Sequence, residues 1–105
     1  WIRARLETAQ NPLTKEEKLA LLDRLAWADG FEKFLHKKFG QDKRFGLDGG
    51  ENLIPLMKAL VDRSAKHGVE NVVIGMPHRG RLNVLANVMR KPVRAAVQGI
   101  LWHEL

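Results

Sequence analysis

Two arginines and a histidine crowd one glycine in the stretch GMPHRGRLN, residues 75–83. His78 carries the side chain that most readily gains or loses a proton near neutral pH. Arg79 and Arg81 offer planar, permanently charged forks that match a carboxylate or a phosphate. Gly80, between them, lets a backbone come close or take a positive φ. Pro77 stiffens the approach. These types in this order fit an anion site beside a proton-handling group. The plainer alternative is that both arginines pair with carboxylates of the fold and His78 caps a helix. A nucleotide phosphate loop is excluded, because neither the GxxxxGK[ST] nor the GxGxxG spacing occurs.

Such a cluster needs elements to hold it. Val72-Val73-Ile74 is β-branched, short and bounded by turn residues, without polar alternation. That pattern predicts a strand buried on both faces of a parallel sheet. The cluster would then stand beyond the strand's carboxyl end, where open α/β sheets bind ligands. Leu82, Leu85, Val88 and Met89 follow at helical spacing, closed by Pro92. Upstream, Thr14 and Glu17 form a capping-box pattern that starts a helix running toward Phe39-Gly40, which Gly30 is expected to interrupt. Leu19, Leu22 and Ala26 share one face of it. QDKRFGLDGGE, residues 41–51, reads as a loop. Leu53, Leu56, Met57, Leu60 and Val61 read as a second helix, with Pro55 in its first turn and a stop at His67-Gly68. The fold class expected is α/β: helices, then a first buried parallel strand, then a helix. One strand needs sheet neighbours, so the chain is expected to be a piece of a larger α/β domain.

Composition narrows the partners. With 105 residues, no cysteine, 45% hydrophobic and 29% charged residues, the chain reads as globular, without disulfides or thiolate-held metals. Its formal net charge of +6 favours an anionic partner. No apolar run reaches the roughly 18 residues of a membrane span, so no membrane partner is expected. Lys37, Lys38, Lys43 and Arg44 raise a nucleic-acid-binding module as a competing reading. It lacks a helix-turn-helix, RNA-recognition or zinc pattern, and no nucleic acid is expected. A non-catalytic interaction fragment is a third reading.

KRFGLDGGENLIP, residues 43–55, and GVENVVIGMPHRGRLNVLANV, residues 68–88, together resemble the thiamine-diphosphate-dependent dehydrogenase component of the 2-oxoglutarate dehydrogenase complex. DRLAWADGFEKFLHKKF, residues 23–39, resembles that family's helical lead-in, and the likeness runs over about residues 13–92. The close 2-oxoadipate paralogue carries very similar motifs. The resemblance implies oxidative decarboxylation of a 2-oxo acid, with acyl transfer to a lipoyl group on a partner acyltransferase. It implies thiamine diphosphate and magnesium as cofactors, and a homodimer. His78 matches the family's active-site histidine, tied to substrate recognition and proton handling. Arg79 matches a cofactor-contacting residue, and Phe45 and Leu47 match lining near the active-site entrance. Asn83 is expected to be structural. The family's metal-binding motif has no match in this chain, so no metal ligand is assigned and the chain alone is expected not to turn over. The implied organisation is a helical lead-in over 1–40, the start of the first cofactor-binding domain over 41–92, and a tail over 93–105 that departs from the family. The compartment implied is the mitochondrial matrix in a eukaryote and the cytoplasm in a bacterium.

Overall fold

A computed structural model describes residues 1–8 and 13–101. Among the described residues five helices follow in order: α1 (Ile2–Leu6), α2 (Lys15–Lys38), α3 (Leu53–Lys66), α4 (Arg81–Asn87) and α5 (Val93–Leu101). Among the described residues there is no strand, which corrects the α/β expectation. Residues 69–77 instead form an irregular connection. Val73 is 96% exposed and Val72 is 51% exposed. The reason is physical. A strand is stable only through the ladder to its neighbours, and a β-branched run without neighbours has nothing to pair with.

The longest element, α2, begins as its sequence requires. Thr14 accepts from the Glu17 N–H at 3.2 Å, while the Glu17 carboxylate accepts from the Thr14 N–H at 3.3 Å. This reciprocal box satisfies two donors that a helix start leaves free. The helix then runs unbroken through Gly30 for 24 residues, where an interruption was expected. A Cβ at Gly30 would meet nothing within 4 Å. Gly30→Ala is therefore expected to stabilise the fold by about 0.5–1 kcal/mol, since alanine loses less backbone entropy in a helix. Urea unfolding of the two chains checks this through a higher midpoint at unchanged slope. One turn of the exposed surface is tied by Lys33 and Asp29, 2.7 Å apart. The hydrogen bond to Asp29, and then its charge, holds the Lys33 pKa above its ordinary value. That small contribution is present at neutral pH and is lost only as pH climbs past the raised value.

Packing uses the second half of α2. Ala28, Leu47, Ile54, Val84 and Val88 form one buried cluster, flanked by Leu53, Met57 and Met76. Phe31, Leu35, Leu82 and Val97 form the other, flanked by Phe39, Phe45 and Ala86. Leu35, Ile54 and Val84 are fully buried, each worth about 1.5–3 kcal/mol of removed apolar surface. The first half of α2 lies open, with Leu19 56% and Leu22 63% exposed. On α3 the row Leu56 and Leu60 is likewise exposed, while Ile54 is buried. Periodicity identified both helices but not which row would be covered.

The chain after Asn87 also differs from expectation. Met89 lies beyond α4 and is 53% exposed. The tail forms α5, whose Val97 packs on Phe31, Leu35 and Leu82. The last part of the tail, residues 102–105 and with them His103, lies outside the described residues.

Candidate functional site

Two loops meet at the N-terminal end of α4. One is residues 43–51, between α2 and α3; the other is the turn 77–80. Their junction is a backbone hydrogen bond from the Gly80 N–H to the Phe45 carbonyl at 2.8 Å. Gly80 takes φ +74, the left-handed region, and caps α4. A Cβ there would stand 2.7 Å from Leu47 Cδ1 and 3.3 Å from Leu47 Cγ. Gly80 is thus required twice, by its dihedral and by the closeness of Leu47. Phe45 is itself left-handed, at φ +52. A non-glycine residue there costs about 1–2 kcal/mol, so the surroundings must hold it. Backbone outliers of this kind concentrate at functional sites.

Phe45 gathers the cationic residues. Its ring lies 5.3 Å from the Arg81 guanidinium carbon and 5.7 Å from Lys43 Nζ. The His78 ring stands 6.5 Å from it, tilted by 35°. Contacts between a cation and a ring face are worth about 0.5–1 kcal/mol each at exposed sites. Arg81 Nε also donates to the Pro77 carbonyl at 3.3 Å. Arg79 reaches across and donates from Nη2 to the Asp48 carbonyl at 3.4 Å. Among the described residues, the ion pairs are Arg3–Glu7, Arg24–Asp62, Lys33–Asp29 and Lys58–Asp62. None uses Lys43, Arg79 or Arg81, so within those residues the alternative of carboxylate pairing is not met.

The structure therefore brings His78, Arg79 and Phe45 into one place, with His78 and Arg79 exposed and Phe45 half-buried. Leu47 differs: at 3% exposure it packs beneath the turn. Sequence reasoning passed over Lys43 and Arg81 as ring partners of Phe45, although KRF and HRGR each display them. It also passed over Glu32, which is 7% exposed. Asn83, 1% exposed, is structural as its position suggested. Its Nδ2 donates to the Ala28 carbonyl and to Glu32 Oε1, both at 3.0 Å. Glu32 Oε1 also accepts from the Leu47 N–H at 3.1 Å. Asn87 Nδ2 donates to Asn83 Oδ1 at 2.6 Å.

An open groove of about 740 Å³ lies elsewhere, between α2 and the α4–α5 side, lined by Trp27, Phe31, Phe34, Ile54, Arg90 and Val93 among others. None of His78, Arg79, Phe45 or Leu47 lines it. Size alone would favour the groove. The groove has a left-handed residue of its own, Arg90 at φ +58, so what sets the loop cluster apart is its convergent charged groups. No described helix is long and apolar enough to cross a membrane. Among the described residues no three His, Asp or Glu side chains converge as a metal site.

Known proteins give this geometry a context. The chain is 57% identical over 96 residues to a mitochondrial 2-oxoglutarate dehydrogenase of Dictyostelium discoideum, a match covering 90% of this chain and 10% of that protein. It is 55% identical over 97 residues to the mitochondrial 2-oxoglutarate dehydrogenase of Schizosaccharomyces pombe, with the same coverage of both. A 2-oxoglutarate dehydrogenase-like mitochondrial protein of Rattus norvegicus is 54% identical over 92 residues, 87% of this chain and 9% of that protein. No family model matches the chain. The class is thus a segment of a 2-oxo acid dehydrogenase. Over the matched residues the chain belongs to the 2-oxoglutarate dehydrogenase family. It spans about a tenth of the length of the curated relatives it matches. The match is longer than the residues 13–92 that the motifs suggested.

Proposed function

We propose that this chain is the part of a 2-oxoglutarate dehydrogenase that presents His78 and Arg79 to substrate and cofactor. The reaction is oxidative decarboxylation of 2-oxoglutarate with transfer of the acyl group to a lipoyl group on an acyltransferase partner. The working enzyme is a homodimer in the mitochondrial matrix. The observation that carries the reading is the convergence of His78, Arg79, Arg81 and Lys43 around Phe45, in a chain 57% identical to a relative of that name. That specificity of likeness favours the dehydrogenase over a nucleic-acid-binding module.

The residues divide the work by their chemistry. The exposed Lys43 and the half-buried Arg81 attract the dianionic substrate and hold a carboxylate by charge-assisted hydrogen bonds. His78, beside them, donates to the substrate and passes a proton at its imidazole. Phe45 supplies the apolar wall that orients both cations, and Leu47 supports the turn from below. For thiamine diphosphate, the fit rests on the donor set. Arg79 is exposed, has no ion pair among the described residues, and presents a fork suited to a diphosphate oxygen. When bound, that cofactor supplies the nucleophile and electron sink for decarboxylation. Magnesium is assigned no ligand among the described residues, where no three His, Asp or Glu side chains converge.

The test uses a full-length Schizosaccharomyces pombe relative in which the matching segment is exchanged for this chain's residues. Arg79→Ala in that carrier enzyme is expected to raise the thiamine diphosphate concentration for half-maximal activity by about tenfold or more. Loss of one hydrogen bond to a charged group costs about 1.5–3 kcal/mol. An unchanged cofactor requirement removes Arg79 from the cofactor's binding groups.

A further inference from the structure

Glu32 is one acidic residue among several on α2, yet it is buried and serves both loops of the site. One oxygen, Oε1, accepts from the Leu47 N–H at 3.1 Å and from Asn83 Nδ2 at 3.0 Å. Leu47 belongs to the loop that carries Phe45. Asn83 belongs to the first turn of α4, directly after His78, Arg79 and Arg81. Asn83 is in turn fixed by the Ala28 carbonyl and by Asn87. No fully buried side-chain polar atom among the described residues lacks a partner, and both bonds to Glu32 fall on Oε1. We propose that Glu32 is a positioning residue: its carboxylate sets the separation of the 43–51 loop from the 78–81 turn, and so holds Phe45 against His78 and Arg81. A buried carboxylate is costly unless its hydrogen bonds are made, and here both go to the loops that frame the site. This inference rests on the reading of that cluster as a 2-oxo acid site.

The chemistry makes a sharp distinction between geometry and charge. Because both donors address the same oxygen, a glutamine carbonyl can accept from both. Glu32→Gln is then the conservative variant that keeps the spacing without the charge. Glu32→Ala removes the acceptor and leaves the Leu47 N–H and one Asn83 donor bond unmade. Glu32→Asp keeps the charge but shortens the reach by one methylene.

The experiment measures kcat and KM for 2-oxoglutarate, and the melting temperature, in the same carrier enzyme with its cofactors. Glu32→Ala is expected to lower kcat/KM by about 10- to 100-fold, mainly through KM, when assayed well below its melting temperature. Glu32→Gln is expected to stay within about threefold of the parent, a rescue reflecting retained geometry. If Glu32→Ala does not fold, Glu32→Asp is scored in its place, with an intermediate rise in KM expected. The proposal is overturned if the folded Ala or Asp variant melts lower but keeps the parent's KM and kcat, which marks a merely structural role. It is also overturned if Glu32→Gln falls as far as Glu32→Ala, which marks a need for the charge. His78→Ala is run alongside. A neutral effect there rejects the site reading itself, separately from any result at Glu32.

Discussion

His78→Ala in the carrier enzyme is expected to lower kcat/KM for 2-oxoglutarate by about 10²- to 10⁴-fold, the range for removing a positioned proton-transfer group. The expectation follows from where the imidazole stands. It is exposed, 6.5 Å from the Phe45 ring, at a turn that also fixes Arg79 and Arg81. The His78 carbonyl is already used, accepting from the Arg81 N–H at 3.2 Å. Its ring has no hydrogen-bond partner among the described residues. Truncating it therefore leaves the local backbone largely intact, and the melting temperature is expected to hold within a few degrees. Steady-state kinetics with a calorimetric scan separates the two. A decline in activity together with a collapse in melting temperature would reassign His78 to the fold.

Gly80→Ala has the largest expected effect on stability. Alanine in the left-handed region costs about 1–2 kcal/mol. The added Cβ would also sit 2.7 Å from Leu47 Cδ1, and Leu47 is 3% exposed, so it has little room to retreat. Overpacking of this kind adds about 1–3 kcal/mol. Together these give a loss of about 2–5 kcal/mol, a large fraction of a small domain's stability. Urea unfolding of the 105-residue chain reads it directly as a lower midpoint. A loss below about 0.5 kcal/mol would mean that the 43–51 loop moves freely against the turn. The contact that gathers the site would then not be rigid.

Local features of the fold were legible where the signal is local. The Thr14–Glu17 box starts α2, His67 and Gly68 end α3, and Gly80 takes the positive φ that its type permits. Each is decided by a few neighbouring residues. The strand at Val72–Ile74 was misread because a strand is defined by partners, and β-branched residues describe only what a sheet would accept. The tail's helix α5 was missed as an element because its apolar run is short and reads equally as helix or strand. Residue types made His78 and Arg79 visible as candidate site residues. Glu32 was not visible, since its partners Leu47 and Asn83 lie 15 and 51 residues away. Among the charges of α2 only packing distinguishes it.

We propose that this segment forms the substrate-facing part of a 2-oxoglutarate dehydrogenase. Its most direct test is the activity of the Schizosaccharomyces pombe relative after its matching segment is exchanged for this chain's residues. Decarboxylation of 2-oxoglutarate is read with an artificial electron acceptor and saturating cofactors. The expected kcat/KM lies within about tenfold of the unexchanged enzyme, because the loops and the buried network that set the site travel with the segment. A folded, cofactor-loaded exchange enzyme without measurable turnover of 2-oxoglutarate would contradict it.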